Sequence, residues 1–445
     1  MTLTAVIREE SLRSQPAHDV VGIGFGPSNL ALAIALEEAR RSVRPGLDVH
    51  FIERQPRFAW HPGMLLPDSD MQISFLKDLV SLRDPTSPFT FVNYLHRKNR
   101  LQSFINQKTF FPSRIEFNDY LGWAAAHFAD RCSYGQEVVA VEPESRGRDV
   151  TRLRVISRHA QGREQTRLAH SLVLAVGGVP HVPEVFTPLG RHERLVHSSR
   201  YLPALEQLDL QQGRPRLAVV GAGQSAVEVM LDLHGRVPGA TIDLVYRGLA
   251  LKPSDDSPFV NEIFDTAFTD FMFSQASEDR RELIAAFRNT NYAVVDSDLL
   301  QRLYTLLYRQ RVAGHGPIAL LGSREITAAS SDGAGLVLDL AERRGGSVER
   351  RRYDVVFLAT GYRRDEVPSV LNGLESYLAR GGVDRNYRLG TAGLRPAIFL
   401  QGCSEASHGL SDTLLSVAAA RATEIADALL AHLAQPCREG SSSAA

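Results

Sequence analysis

The sequence is poor in cysteine: Cys132, Cys403 and Cys437 are scattered over 445 residues. No CxxC pair and no metal-ligand spacing exists among them, which argues against a disulfide framework, a zinc site and a redox dithiol. An odd, sparse set suits a reducing compartment, so a cytoplasmic location is expected. An excess of either charge is also missing, because 50 Lys and Arg against 51 Asp and Glu leave a net charge of −1. That balance gives no electrostatic reason to expect nucleic acid or an acidic membrane as partner. The densest basic stretch, ERRGGSVERRR, surrounds a Gly-Gly turn and suggests a solvated hairpin, with an anion-binding patch as the alternative. Long apolar runs are absent too. No stretch approaches the roughly 18 residues of a membrane span, and the first residues lack a signal-peptide core. Segments 1–17 and 433–445 are expected to be disordered tails.

With 44% hydrophobic and 23% charged residues, the composition is that of an ordinary globular protein, long enough for two or three domains. One pattern occurs twice. HDVVGIGFGPSNLALAIALEEA and PRLAVVGAGQSAVEVMLDL each give an apolar strand, a glycine turn and a helix-period apolar stripe. VTRLRVISR and QTRLAHSLVLAVGG suggest a hairpin returning to the first sheet, and YDVVFLATGY a strand closing the second unit. The expected fold is α/β, with two Rossmann-like domains, the second inserted in the first, and a small helical segment inserted in turn. The boundaries drawn are 18–195 with 355–432 for the first domain, 196–254 with 312–354 for the second, and 255–311 for the helical segment.

In the first turn, Gly24 permits the tight bend and Gly26 the approach of a diphosphate to the backbone, with Pro27, Ser28 and Asn29 opening the helix. Amides at that helix start face the phosphates. Asn29 stands where a GxGxxG fingerprint has its third glycine. The strand LDVHFIER ends in Glu53, 27 residues past Gly26, where a carboxylate can accept from both ribose hydroxyls of an adenosine. The second turn is Gly221, Ala222, Gly223, Gln224 and Ser225. Its following strand, TIDLVYR, ends in Arg247, 24 residues past Gly223. A cation there pairs with a 2′-phosphate that a carboxylate would repel. Site one should therefore take FAD or NAD and site two NADPH, which suggests hydride passing from NADPH to a flavin. Without a cysteine pair, the acceptor after the flavin is oxygen or a small organic molecule.

GFGPSNLALA, MQISFLKDLVSLRDPTSPFTFVNYL, VVGAGQSAVE, KPSDDSPFVNEIF, NTNYAVVD, LATGY and SHGLSDTLLSV together resemble the N-hydroxylating flavin monooxygenases of siderophore biosynthesis. DDSPFVNE, NTNY and SDTLLS place the resemblance in the L-ornithine N5-monooxygenase branch, apart from the lysine N6-hydroxylases. The resemblance covers residues 18 to 430. It implies FAD and NADPH as cofactors, molecular oxygen and L-ornithine as reactants, and N5-hydroxy-L-ornithine formed through a flavin C4a-hydroperoxide. Relatives suggest a homotetramer. No protein nucleophile is required; the protein orients its ligands and excludes water. The same chemistry on L-lysine or a diamine, and a non-catalytic NADPH-sensing flavoprotein, are the alternatives.

The resemblance also implies site residues. Lys77 is the cation for the substrate carboxylate, which disfavours a diamine. Asn261 and Asn291 offer neutral amides to a zwitterion, with Asn291, Tyr292 and Ala293 also at the nicotinamide end. Glu262, Ile263 and Phe264 would begin a helix and line the pocket, and Leu414 and Ser416 would face flavin and substrate. Pro258 bends the chain at Ser257 and should present Asn261 just before that helix. For the flavin, Arg54, Trp60 and His61 wrap the cofactor, Gln72 stands at its ring, and Val138 reaches the adenine end through its backbone. Ser411, Asp412 and Thr413 would cap the following helix, whose amides stabilise negative charge on a reduced flavin. His408 resembles a general base but is at least as well explained as a structural histidine.

Overall fold

The structure, a computed structural model, describes residues 16–146, 149–210 and 213–435. Nearly all of both expected tails, and Cys437, lie outside the described residues. The first glycine-turn strand, Val20–Ile23, is buried at every position, as an all-parallel sheet covered on both faces requires. It lies at the centre of five parallel strands in the order Ala397–Leu400, Ser171–Leu174, Val20–Ile23, Val49–Glu53, Cys132–Tyr134. A second parallel sheet repeats the plan around Arg216–Val220, in the order Ile318–Leu321, Thr241–Val245, Arg216–Val220, Val355–Leu358, Leu195–His197. Each central strand has its sequence successor on one side and a much later strand on the other. Such a switch point opens a crevice at the carboxyl ends of the strands, where dinucleotides bind.

Each sheet is accompanied by a three-stranded antiparallel sheet, Gln136–Arg146, Asp149–His159 and Glu164–Ala169 for the first, Arg324–Ser331, Leu336–Glu342 and Val348–Tyr353 for the second. The segment QTRLAHSLVLAVGG therefore divides at His170: Glu164–Ala169 pairs in the antiparallel sheet, and Ser171–Leu174 enters the parallel one. ERRGGSVERRR is a hairpin whose cations are largely neutralised. Arg350 is bidentate on Asp339, Arg351 bridges Glu349 and Asp243, and Arg352 pairs with Asp332.

Two expected boundaries move. Val355–Leu358 pairs with Arg216–Val220 and Leu195–His197, so the return to the first sheet starts after this strand and not at 355. The expectation that YDVVFLATGY closes the second unit is met, and the boundary drawn at 355 cut through that segment. Helix Ser297–Ala313 lies in sequence between two strands of the second sheet and buries Leu299 and Leu303 in that sheet's core. It is a crossover helix of the second unit, which shortens the helical segment placed at 255–311.

The two chain crossings between the sheets are paired as short antiparallel strands, Val179–Pro180 with Tyr362–Arg363. His197 Nε2 holds the Gly361 carbonyl at 2.9 Å, and Thr360 Oγ1 donates to the His181 carbonyl. Arg114 of the first domain forks onto Glu228 of the second at 2.9 and 3.0 Å, with side-chain exposures of 12% and 3%. Removing one member of a buried pair strands the other charge, at a cost of about 3–5 kcal/mol. Arg114→Ala should therefore lower the urea midpoint much further than Arg114→Lys; equal midpoints would show that the pair does not hold the interface.

Candidate dinucleotide and substrate site

The first turn is built on close backbone approach. Gly24 has φ +84°, and a Cβ there would lie 2.4 Å from the Ala175 carbonyl of the neighbouring strand's end. The second turn repeats this at Gly221, with φ +148° and the same 2.4 Å to the Ala359 carbonyl. Gly26 differs: a Cβ there would meet nothing within 4 Å. Its glycine keeps open the space beside helix Pro27–Ser42, whose first amides receive no side-chain cap. Helix Gln224–Arg236 behind Gly223 is uncapped in the same way. Amides without a side-chain cap fit a diphosphate at both turns, with open space at the first, while at the second a Cβ on Gly223 would lie 3.5 Å from Ala293.

Asn29 is fully buried and takes over the third glycine's place by bonding instead of by smallness. Its Nδ2 donates to the Gly24 carbonyl at 2.7 Å, and its Oδ1 accepts from Gln401 Nε2 at 2.9 Å. Glu53 accepts from the amides of Phe25 at 2.7 Å and Gln55 at 2.8 Å. Those bonds use two of a carboxylate's about four acceptor positions, so ribose hydroxyls can still be received. Arg54 is exposed beside it. Trp60 packs edge-on against His61 and Phe117, and its amide donates to Asn118. The strand holding Val138 slips register between Val138 and Ala140, which takes backbone groups there out of the ladder. Arg247 is exposed, and no carboxylate pairs with it among the described residues.

Ser411, Asp412 and Thr413 do not cap the following helix. They form their own short turn, Leu410–Thr413, and helix Ala418–Leu433 starts after Val417 with no side-chain cap. The carboxylate is drawn elsewhere by a stronger partner: Asp412 accepts from buried Arg421 at 3.0 Å and from the Ser404 amide at 2.7 Å. Arg421 also donates to Ser28 Oγ at 2.9 Å. The sequence reading missed Arg421, although a lone arginine in the alanine-rich stripe VAAARATEIADA was the available signal. Close by in sequence, Gln401 Oε1, Ser404 Oγ and Ser416 Oγ are buried with no partner. Native interiors rarely leave such atoms unmet, and a polar cofactor or substrate at this turn would satisfy them. His408 is fully buried, stacked on Tyr387 at 4.0 Å, with its nitrogens on Ser407 and the Arg385 carbonyl. Burial holds its pKa down at about 4. It is a neutral packing residue.

Asn261 ends the four-residue helix Pro258–Asn261, which Pro258 opens after an extended Ser257, and stands directly before the 3-10 helix Glu262–Phe264. Its Nδ2 donates to the Asp256 carbonyl at 2.8 Å. Glu262, Ile263 and Phe264 form a single 3-10 turn before helix Thr266–Ser274. Ile263 is buried and shares an apolar cavity with Leu410, while Glu262 is exposed. Leu414 is half-buried beside the same turn. Tyr292 joins the helical segment to the C-terminal turn, donating to Glu405 at 2.7 Å and lying 3.3 Å from Thr413 Oγ1. Ala293, at φ +60°, sits over Gly223. Asn291 is half-buried and makes no side-chain hydrogen bond within the described residues. Lys77 is half-buried, and its ammonium has no carboxylate partner among the described residues. Gln72 reaches Asp296 at 2.8 Å, the last residue of NTNYAVVD, to which the sequence reading assigned no role.

Residues 16–364 match the family model described as L-lysine 6-monooxygenase/L-ornithine 5-monooxygenase. A curated L-ornithine N(5)-monooxygenase of Burkholderia cepacia is 48% identical over 407 residues, covering 89% of this chain and 91% of its own. A solved ornithine hydroxylase from Pseudomonas aeruginosa superposes with a TM-score of 0.90 at 45% identity, over 94% of this chain and 100% of that one. An ornithine N-hydroxylase from Kutzneria sp. 744, solved with reduced FAD, NADP+ and L-ornithine, gives 0.87 at 36% identity, over 94% and 99%.

The two glycines of the first turn predict opposite phenotypes. Gly26→Ala should leave the unfolding midpoint of the apoprotein unchanged and weaken FAD binding by about tenfold or more, about 1.4 kcal/mol. Gly24→Ala should lower the midpoint itself, because the left-handed bend and the Ala175 carbonyl both oppose a side chain. Equal effects of the two on the apoprotein would contradict this division of roles.

Proposed function

The chain belongs to the L-lysine 6-monooxygenase/L-ornithine 5-monooxygenase family, and within it we propose an NADPH- and O2-dependent L-ornithine N5-monooxygenase acting in hydroxamate siderophore biosynthesis. The reaction is L-ornithine + NADPH + H+ + O2 giving N5-hydroxy-L-ornithine + NADP+ + H2O. The observation that carries this reading is the pair of uncapped glycine turns, one ending at a buried glutamate and the other at an unpaired arginine. A carboxylate suits the unphosphorylated ribose of FAD, and a cation the 2′-phosphate of NADPH. When bound, the two cofactors supply the reducing electrons and the activated oxygen.

The chain's own residues would bind, orient and exclude water. Lys77, with no internal carboxylate to neutralise it, would receive the substrate carboxylate in a charge-assisted bond. Asn291 would contribute an amide able both to donate and to accept, and Asn261, whose NH2 is already held by the Asp256 carbonyl, an oxygen acceptor. A side-chain amine like that of lysine, with a pKa of about 10.4, is protonated in neutral water and then lacks a lone pair. The apolar wall formed by Ile263 and Leu410 favours its neutral form by making the charged one costly. The same wall keeps water from the reacting oxygen. Ser411, Thr413 and Ser416 would present polar atoms to flavin and substrate from the C-terminal turn. Cytoplasmic location and a homotetramer remain part of this reading; among the described residues no helix is long and apolar enough to cross a membrane.

The assay is hydroxylamine formation by FAD-loaded enzyme with NADPH and air, offered ornithine, lysine or putrescine. Product from ornithine alone is expected; peroxide without product from ornithine, alongside product from another amine, would refute the substrate. Lys77→Ala should keep anaerobic flavin reduction and raise KM for ornithine by about 10- to 150-fold, the 1.5–3 kcal/mol of a hydrogen bond to a charged group. An unchanged KM would remove Lys77 from the site.

A further inference from the structure

Asp296 immediately precedes helix Ser297–Ala313, where an aspartate usually turns its carboxylate onto the helix's first amides. Here no side chain caps that helix. Asp296 Oδ1 instead accepts from Gln72 Nε2 at 2.8 Å and from Ser254 Oγ at 3.3 Å. Giving up a cap lowers helix stability, so the carboxylate's placement needs another cause. Its own backbone amide donates to Gln224 Oε1 at 2.9 Å. One residue thus holds the Gln72 segment of the first domain through its side chain and the second glycine turn through its main chain.

The connection runs on into the domain interface. Gln224 Nε2 donates to Glu228 at 3.1 Å, and Glu228 is the carboxylate clamped by Arg114. Gln72 and Arg114 both belong to the first domain, so the second turn is held between two of its side chains. The carboxylate also settles which way the Gln72 amide points. An ionised Asp296 can only accept, so the NH2 of Gln72 faces it and the Gln72 carbonyl oxygen is the free end. Without that partner an exposed glutamine would sample many rotamers. Partial burial raises the Asp296 pKa, and the bonds from Gln72 and Ser254 oppose that rise.

We propose that Asp296 is a positioning residue that sets the Gln72 carbonyl and the second glycine turn in one frame, and so fixes the approach of the nicotinamide to the flavin. The proposal rests on the monooxygenase reading above, and its test separates the two. FAD-loaded enzyme is mixed anaerobically with saturating NADPH and no ornithine, and bleaching of the flavin is followed. Wild-type protein that stays oxidised would refute the monooxygenase reading itself.

If the wild type bleaches, Asp296→Ala is expected to do so about tenfold more slowly or worse, as misplacement by about an ångström does, with unchanged FAD content. The shift of the flavin absorption band on adding NADP+, which needs no turnover, should change as well. Asp296→Asn retains an oxygen that can accept from Gln72 and should restore the rate to within about threefold of wild type. Gln72→Ala should slow bleaching as Asp296→Ala does, and the double variant should be no slower than either. Wild-type bleaching and a wild-type NADP+ response in Asp296→Ala would overturn the proposal, as would additive single effects or no recovery in Asp296→Asn. If Asp296→Ala does not fold, Gln72→Ala carries the test, and its bleaching at the wild-type rate overturns the proposal.

Discussion

Arg421 carries its charge at 2% exposure, and the first cofactor turn depends on how that charge is met. Its guanidinium donates to the carboxylate and the carbonyl of Asp412 and to the hydroxyl of Ser28. Asp412 is itself 1% exposed, and a buried charge without its partner is among the costliest defects a fold can hold. The ion pair therefore forces the C-terminal helix, the Leu410–Thr413 turn and the start of the first glycine-turn helix to assemble together. Its influence continues outward. Tyr387 lies 6.0 Å from the Arg421 guanidinium and stacks on His408, whose Nε2 lies 3.2 Å from the Arg385 carbonyl. Arg385 then spans Glu424 of the C-terminal helix and Asp270 of the helical segment. A neutral His408 suits this chain of contacts, because a third cation between Arg385 and Arg421 would be repelled by both.

The same logic explains how one chain can hold two dinucleotides in opposition. The domains meet where Met64 and Leu66 of the first pack into the apolar core of the second, and directional contacts flank that packing: the Arg114–Glu228 fork, the Gln72–Asp296 bond and the paired crossing strands. Directional bonds set an angle more sharply than an apolar face does, since apolar burial is non-directional. A flavin and a nicotinamide must face each other in a defined geometry, and such contacts supply it.

Local pattern made much of this legible in the sequence. The two glycine turns follow from strand, turn and helix signals confined to about 30 residues, and the charge at each second strand's end identifies its nucleotide by simple electrostatics. Lys77 is singled out only through the resemblance of SFLKDLV to a family motif. Partnerships across the chain were not legible. Arg421 and Ser28 are 393 positions apart and Gln72 and Asp296 224 apart, and neither pair leaves a periodic trace. The same limit explains one of the misplaced edges of the second domain. Helix Ser297–Ala313 has the apolar pattern of any crossover helix, and only its packing shows which sheet it serves. The motif of Val355–Leu358 assigns it to the second unit, and only the boundary drawn at its first residue is misplaced. The capping role given to Ser411, Asp412 and Thr413 failed for a related reason. A local rule was outweighed by a buried arginine that the rule does not see.

Asn29 shows how far a fingerprint can depart from its usual residues when its physical requirement is still met. A third glycine is favoured because the helix must pack tightly against the strand. At Asn29 the helix is tied to the sheet instead, through the Gly24 carbonyl and Gln401 beyond the last strand of the first sheet. The substitution thereby couples the turn to the strand Ala397–Leu400, which ends in the segment carrying Ser404 and Asp412. Glycine at this position would keep the turn and lose that connection. The asparagine belongs to the same design as Arg421: both tie the N-terminal nucleotide turn to the C-terminal segment that completes the site.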